Sequence, residues 1–288
     1  MNNFRDKLVS WLFETEALRV CPQDKPFWYT SGAIGPYYIN THFLYGSEEK
    51  ANNLLKIIDE VKKDVVGCPG KVLDKVLENY NNDKIFKELI DEMVLFIKDN
   101  PKLQSYEYIS GGERRDWFFS IIIAHILNKP HITIYKDLKA VLTDGGEVIT
   151  DFQLNGKKVL HIVDLINEAS SYERAWIPAI KSLGGEILWS VAVVDRMQGG
   201  SEFLENNNIT PFSMINIDKD LFKMALESNY INQSQFDMIA AYLDNPKAAM
   251  TKFLKENPQF MKEALEGDEK TRERAKLCLD KGIYDLNS

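Results

Sequence analysis

Apolar residues in the middle of the chain form long runs rather than an alternating pattern. The runs Lys158–Asp164 and Glu186–Asp195 are almost continuously apolar, and each ends in an acid. Such runs are typical of strands buried on both faces of a parallel sheet, with helices in the connections. Further strands are predicted at Tyr106–Ser110, His131–Tyr135 and Ser213–Ile217, and helices at Trp117–Leu127 and Ser171–Leu183. The pattern therefore predicts an α/β fold with an open, mostly parallel sheet flanked by helices.

Helical periodicity dominates two other regions. Residues 47–104 carry apolar side chains at helical spacing, which predicts two or three helices. Residues 218–288 are strongly charged and are predicted to be helical throughout, with Asn-Pro pairs marking helix boundaries. We expect residues 1–217 to form one α/β domain that includes 47–104 as a helical insertion. The segment 218–288 is expected to be a helical extension packed on the same domain.

Charge and composition argue against several classes of protein. The net charge is −8 and no basic run is present, whereas a nucleic-acid-binding protein needs a concentrated basic face. The three cysteines and four histidines lack the spacing of a disulfide framework or a metal site, so no metal ligand is predicted. No run approaches the roughly 18 apolar residues of a membrane span, and the N-terminus lacks the features of a signal peptide. We therefore expect a cytoplasmic protein that binds neither nucleic acid nor membrane.

Ligands of open parallel sheets bind beyond the carboxyl ends of the strands. That rule selects four loops, which are residues 111–116, 136–156, 165–171 and 196–200. In the first loop, two glycines precede Arg114 and Arg115, a combination that suits phosphate binding but also an ordinary turn. The second loop is long enough to be a lid. It could also be a solvated hairpin in which residues 148–150 pair with residues 152–154.

The third and fourth loops also allow two interpretations each. The third precedes a helix whose N-terminus would attract an anion. Ser170 and Glu173 match a capping box, however, which explains the serines without any ligand. In the fourth loop, Asp195 and Arg196 precede two glycines and suit a planar polar ligand, with a surface turn as the alternative.

Taken together, four segments resemble the motifs of type I phosphoribosyltransferases, most closely the orotate phosphoribosyltransferases. FWYTSGAIGPYYIN (residues 27–40) is similar to the family's base-pocket loop, and YKDLK (135–139) resembles the start of its catalytic loop. VLHIVDLINEASS (159–171) takes the place of the phosphoribosyl-diphosphate motif, and VAVVDRMQGG (191–200) is similar to a strand that ends in Asp-Arg-Gln-Glu-Gly-Gly. The resemblance covers roughly residues 1–46 and 105–240. It implies transfer of a phosphoribosyl group from phosphoribosyl diphosphate to a pyrimidine-like base, by a homodimer that uses Mg²⁺.

The resemblance also implies roles for individual residues. Tyr37, Tyr38 and Arg196 would form the base pocket. Two residues would be catalytic: Lys139 would stabilise the departing diphosphate, reached from the partner subunit, and Asp164 would hold the ribose hydroxyls. Contacts to the phosphates or the sugar are implied for Arg115, Lys136, Asn167, Ser170 and Ser171.

Several positions depart from the family pattern. Val163 replaces the first of two adjacent acids, Glu168 and Ala169 alter the phosphate cradle, Tyr135 replaces the loop arginine, and Asp116 replaces a glycine. A carboxylate about 5 Å from a phosphate would repel it by roughly 3 kcal/mol at an effective dielectric constant of about 20. Two alternatives to catalysis therefore stay open. One is a ligand-binding or regulatory protein with a degenerate sugar-phosphate site, and the other is a structural or assembly role of the helical segments.

Overall fold

The structure is a computed structural model that describes residues 2–103 and 105–284. Its strands are β1 (Leu18–Val20), β2 (Phe27–Trp28), β3 (Ile34–Gly35), β4 (Tyr37–Ile39), β5 (Tyr108–Gly112), β6 (His131–Ile134), β7 (Ala140–Asp144), β8 (Glu147–Ile149), β9 (Lys158–Ile166), β10 (Glu186–Asp195) and β11 (Thr210–Asn216). Its α-helices are α1 (Asn2–Glu14), α2 (Glu48–Val61), α3 (Cys68–Asn82), α4 (Lys84–Asp99), α5 (Trp117–Ile126), α6 (Ile177–Ser182), α7 (Gly200–Asn206), α8 (Lys219–Glu227), α9 (Gln233–Asp244), α10 (Pro246–Glu256), α11 (Pro258–Glu266) and α12 (Glu269–Asp280). One π-helical turn, Tyr172–Trp176, precedes α6.

A seven-stranded sheet in the order β11-β10-β9-β5-β6-β7-β8 forms the centre of the fold. The five strands from β11 to β6 pair in parallel, whereas β7 and β8 are antiparallel additions at one edge. The sheet is open and is flanked by helices. The predicted fold class, an open and mostly parallel α/β sheet, is therefore confirmed.

The edge of the sheet differs from the expectation for residues 136–156. A tight turn at 135–139 joins β6 to β7, and the hairpin of β7 and β8 closes at Gly145 and Gly146. Both glycines have positive φ, 55° and 90°, as the tightest hairpin turns require. The predicted pairing of residues 148–150 with 152–154 is therefore wrong, because the glycine pair supplies the better turn. This segment is not one long loop.

The long apolar strands are covered on both faces. Residues 159–164 in β9 are all buried, which is why their sequence shows no polar alternation. Helix α5 packs against β5, β6 and β9, with α3 and α4 outside it. An apolar cluster elsewhere in the core joins Val159, Val163 and Ala192 of the sheet to Trp176 in the π-helical turn and Ile180 in α6. These layers hold the carboxyl ends of β5 and β9 in fixed positions.

The described chain separates into two compact units. The sheet unit contains the chain up to Ala17 together with Thr41–Ile217. The helical unit contains Leu18–Asn40 together with the chain from Asp218 onward. The C-terminal segment is helical, as predicted, through α8 to α12.

Within the helical unit, the N-terminal segment is built into the C-terminal helices. β1 pairs with β4 and β2 with β3, both antiparallel. The Tyr284 hydroxyl accepts a hydrogen bond from Ile34 N at 2.8 Å and donates one to Ile34 O at 3.2 Å. Both residues are buried, so this one side chain satisfies two backbone groups that water does not reach.

Tyr284→Phe is expected to lower the free energy of unfolding by about 1–3 kcal/mol, because it leaves both polar groups of Ile34 without a partner. Urea unfolding should show a lower midpoint with an unchanged slope. Tyr106→Phe is the matched control, because the Tyr106 hydroxyl has no hydrogen-bond partner among the described residues. This substitution should change the free energy of unfolding little. Equal stability of wild type and Tyr284→Phe would contradict the bridging role.

Candidate functional site

A cavity of about 370 Å³ opens beyond the carboxyl ends of β5 and β9. Its walls come from the turn after β5, the end of β9 with the loop that follows, Lys136 in the turn after β6, and the π-helical turn. The lining residues are Glu113, Arg114, Arg115, Asp116, Lys136, Val163, Asp164, Leu165, Ile166, Asn167, Ala169, Ser171, Tyr172 and Trp176. Five of the residues predicted to bind substrate or to be catalytic therefore line one cavity, namely Arg115, Lys136, Asp164, Asn167 and Ser171.

The turn after β5 is fixed by close packing and short hydrogen bonds. Trp117 Nε1 donates to Gly111 O at 3.0 Å, and Gly112 N donates to Asp116 Oδ2 at 3.0 Å. A Cβ at Gly112 would overlap the indole ring of Trp176. The peptide bond between Glu113 and Arg114 is cis. Glycine is therefore required at 112, because the strand end and the π-helical turn lie in contact there.

Two buried carboxyl groups meet at the floor of this cavity. Asp116 Oδ1 accepts a hydrogen bond from Asp164 N at 3.3 Å, so the side chain of one residue is held against the backbone of the other. Burial raises the pKa of Asp164 to about 6, although the nearby Arg115 guanidinium lowers it. Burial and the neighbouring Asp164 carboxylate raise the pKa of Asp116 well above its usual range. Near neutral pH the pair therefore holds fewer than two negative charges.

Basic side chains surround the mouth of the cavity. Arg115 is exposed, and so is Lys136 at the end of β6. Arg114 is instead paired with Asp59, and Lys62 Nζ lies 2.8 Å from Glu113 Oε1. The negative charge of Glu113 is thus balanced by Lys62, which does not line the cavity. Arg115 and Lys136 remain at the cavity as cations that can meet an anionic ligand.

The loop after β9 has an unusual backbone where the cradle was predicted. Ala169 has a φ of 55°, in the left-handed region that glycine occupies more easily. The capping box predicted at Ser170 and Glu173 does not form, because Glu173 N donates to Ala169 O and Ser170 Oγ accepts from Arg174 Nη2. Glu168 is exposed and is not part of the cavity wall. The wall of this loop is instead made by Asn167, Ala169 and Ser171.

The π-helical turn positions two aromatic residues that the sequence analysis did not single out. Ile177 N donates to Tyr172 O across the wider turn. Tyr172 and Trp176 both reach the cavity, and the Tyr172 hydroxyl lies 2.5 Å from Ser190 Oγ on β10. π-helical turns are rare and occur often at functional sites. No residue pattern in this segment distinguishes such a turn from an ordinary helix start.

Buried histidines lie behind the cavity. His161 Nδ1 is 2.8 Å from Ser110 Oγ, and His161 Nε2 is 4.0 Å from Asp116 Oδ2. Burial lowers the pKa of His161 to about 3, and the same cause lowers the pKa of His131 to about 3. These imidazoles are therefore neutral at physiological pH and add no positive charge behind the carboxyl pair.

The predicted catalytic lysine lies in the turn at 135–139. Lys139 is exposed and its Nζ is 2.8 Å from Asp137 Oδ2 within the turn. Tyr135, which replaces the family's loop arginine, is buried, and its hydroxyl donates to Val65 O at 3.2 Å. The phenol therefore belongs to the packing of the sheet unit, while Lys139 is accessible from outside.

The residues predicted for the base pocket fall into both units. In the sheet unit, Arg196 N donates to Ile166 O at 2.8 Å, and Arg196 Nε is buried with no hydrogen-bond partner among the described residues. In the helical unit, Tyr37 is buried against Phe222, and Tyr38 is half-buried beside Tyr29. Their role in base binding stays a prediction.

Asp164→Asn is expected to stabilise the folded protein above about pH 6. Folding raises the pKa of Asp164 above its ordinary value. The contribution of its protonated carboxyl group to the stability of the folded state is therefore present at pH 4 and is lost as pH rises through about 6. The amide carries no charge at any pH. The free energy of unfolding of Asp164→Asn, measured with urea, should therefore exceed that of wild type by nearly zero at pH 4 and by about 2–3 kcal/mol at pH 7.5.

Asp144→Asn is the control for this pH series, because Asp144 is exposed in the β7–β8 turn. If the difference in free energy of unfolding between Asp164→Asn and wild type stays constant from pH 4 to pH 7.5, Asp164 does not take up a proton on folding.

Comparison with known proteins was made by sequence and by structure. No family model matches the chain. Orotate phosphoribosyltransferase of Sulfolobus acidocaldarius is 24% identical over 163 residues, which is 57% of this chain and 78% of that protein. The enzyme of the same name from Cytophaga hutchinsonii is 23% identical over 249 residues, 85% of this chain and 97% of that protein.

Solved structures give the same assignment of the fold. UMP synthase of Leishmania donovani superposes with a TM-score of 0.56 at 18% identity, covering 83% of this chain and 42% of that one. Orotate phosphoribosyltransferase of Francisella tularensis superposes with a TM-score of 0.52 at 16% identity, covering 82% of this chain and 96% of that one. The described residues contain no helix that is both long and apolar enough to span a membrane. The chain therefore has the type I phosphoribosyltransferase fold, and its sequence is similar to orotate phosphoribosyltransferases.

Proposed function

We propose that the protein transfers a phosphoribosyl group from phosphoribosyl diphosphate to orotate or a closely related pyrimidine. The observation that carries the proposal is the cavity beyond β5 and β9, which Arg115, Lys136 and Asp164 line together. This arrangement offers cations to a diphosphate and an acceptor to sugar hydroxyls. The relatives named orotate phosphoribosyltransferase supply the reaction class.

In the proposed reaction, a nitrogen of the deprotonated base forms a bond to the anomeric carbon of the ribose. The carbon–oxygen bond to diphosphate breaks, and diphosphate leaves with the electron pair. Arg115, Lys136 and Lys139 would stabilise the negative charge that develops on the leaving group. Asp164 would hold the sugar and offset positive charge on the ribose ring. The Arg196 guanidinium is proposed to bind the base, and the base-binding role that the resemblance implies for Tyr37 and Tyr38 stays a prediction.

The proposal includes Mg²⁺ and a homodimer. No group of three or more metal-binding side chains lies together in the described part of the chain. A Mg²⁺ ion would therefore enter on the oxygens of the diphosphate, as is usual where phosphates supply its ligands, and would neutralise part of their charge. We also propose that the protein works in the cytoplasm, because Cys21, Cys68 and Cys278 are free thiols.

The direct test mixes the protein with phosphoribosyl diphosphate, Mg²⁺ and orotate and measures the release of diphosphate. Release that depends on orotate supports the proposal, and Arg115→Ala should weaken binding of the diphosphate sugar. Magnesium-dependent binding of phosphoribosyl diphosphate without release, for orotate and other common bases, would contradict the proposed transfer and would also count against a degenerate sugar-phosphate site. If the protein neither binds phosphoribosyl diphosphate nor releases diphosphate, the transfer is rejected and the alternative with a degenerate sugar-phosphate site is favoured.

A further inference from the structure

We propose that Asp116 acts with Asp164 as a two-carboxyl binding site for the neighbouring hydroxyl groups of a pentose phosphate. This inference rests on the proposed function and adds a residue to it. The second carboxyl of the site would then come from the turn after β5 rather than from the strand that carries Asp164. The position beside Asp164 in β9 is occupied by Val163, which packs into the apolar core.

The geometry gives Asp116 a fixed orientation toward the cavity. Its two carboxyl oxygens accept hydrogen bonds from Gly112 N at 3.0 Å and from Asp164 N at 3.3 Å. Its side chain is only 10% exposed, and it is still part of the cavity wall. Each carboxyl oxygen accepts one bond from the backbone and has capacity for another. A buried, preorganised acceptor of this kind loses little entropy when it binds a ligand hydroxyl.

The charges around the pair select the chemical class of the ligand. Arg115 and Lys136 at the same cavity disfavour an amine or another cationic ligand and favour an anionic group. The carboxyl pair, in turn, disfavours a second anionic group at the floor. A ligand that satisfies both regions carries a phosphate at one end and neutral hydroxyl donors at the other. A pentose phosphate meets this requirement.

The alternative is that Asp116 acts only as a brace, a side chain whose hydrogen bonds stabilise the contact between two loops. If it were only a brace, Asp116→Asn would lower the stability of the protein and weaken all ligands alike. If it binds a hydroxyl, the same variant would lose selectivity for the sugar that carries that hydroxyl. Selectivity between matched ligands is therefore the measurement that separates the two roles.

The experiment measures binding of three probes by calorimetry: ribose 5-phosphate, its 2-deoxy analogue and its 3-deoxy analogue. Wild-type protein is expected to prefer ribose 5-phosphate over each deoxy analogue by about tenfold, because each analogue leaves one buried carboxyl group without its hydroxyl partner. Asp116→Asn should reduce one of these two preferences to less than about threefold. Binding of inorganic diphosphate, which has no hydroxyl to offer, should stay within about threefold of wild type. The exposed Asp144→Asn should keep both preferences.

Asp164→Asn gives a second test that does not depend on the folding of Asp116→Asn. If two carboxyl groups divide the hydroxyls, one of the two preferences should persist in Asp164→Asn. The two-carboxyl inference would be overturned if Asp164→Asn lost both preferences for ribose 5-phosphate over its deoxy analogues, or if Asp116→Asn kept both. Either result would leave the proposed function standing. Failure of the wild type to bind either ribose 5-phosphate or phosphoribosyl diphosphate would instead reject the proposed function.

Discussion

Gly112→Ala is expected to destabilise the protein by at least 3 kcal/mol, because its new methyl group would overlap the indole ring of Trp176. Overpacking of a dense core costs about 1–3 kcal/mol and more where neither partner has room to move. Trp176 is only 5% exposed and belongs to the apolar cluster, so its ring cannot swing into solvent. Urea unfolding should show the loss as a lower midpoint. Binding of diphosphate should fall as well, since both residues shape the cavity.

The double variant Gly112→Ala with Trp176→Leu identifies the cause of this loss. The smaller side chain makes room for the methyl group, so the double variant should be more stable than Gly112→Ala. Gly70→Ala is the matched control, because a Cβ there meets no atom within 4 Å and helix α3 favours alanine over glycine. A Gly112→Ala protein as stable as wild type would mean that the contact between the turn and Trp176 is not close.

Lys139→Ala is expected to lower kcat for diphosphate release about a hundredfold, with little change in the affinity for the base. The reason is that an ammonium placed where negative charge develops stabilises the transition state more than the bound substrate. Among the described residues, the one ion-pair partner of Lys139 Nζ is the exposed Asp137 within its own turn, so removing the side chain should leave stability unchanged. Lys157→Ala is a suitable control, since Lys157 lies before β9, at the opposite end of that strand from the cavity. A kcat equal to that of wild type would remove Lys139 from the proposed mechanism.

Mixed subunits show whether Lys139 acts across a dimer. If it acts on the partner's site, mixing Lys139→Ala with Asp164→Asn, each of which is expected to be impaired alone, restores one complete site in each heterodimer. With random pairing of subunits in a two-fold dimer, activity should recover to about a quarter of wild type. No recovery after verified subunit exchange would mean that Lys139 serves the site of its own chain.

The centre of the fold was predictable because burial on both faces leaves a direct trace in the sequence. Glu186–Asp195 is a strand with the predicted bounds, and the predicted strand from Lys158 extends to Ile166. The β7–β8 hairpin was not predicted, although Gly145 and Gly146 carried the signal for it.

The details of the cavity depend on contacts between segments that lie far apart in the chain. The capping box failed as a prediction because the left-handed Ala169 shifts the hydrogen bonds of the loop away from Ser170. The proximity of Asp116 to Asp164 could not be predicted either, since it needs the pairing of β5 with β9. Trp176 gave no signal, because nothing in its neighbourhood marks a π-helical turn. Three of the four predicted loops contribute to the cavity wall, whereas residues 196–200 do not, and the π-helical turn that completes the wall was not predicted.

The helical unit has a consequence for how the chain folds during synthesis. Its two segments, Leu18–Asn40 and the chain from Asp218, are separated by roughly 180 residues. At typical translation rates the ribosome needs on the order of 10–40 s to make that interval. Throughout that time the strands around Ile34 lack the Tyr284 hydroxyl and the C-terminal helices. A nascent chain can therefore build the sheet unit first, while its N-terminal segment stays exposed to chaperones, proteases or premature pairing with another copy.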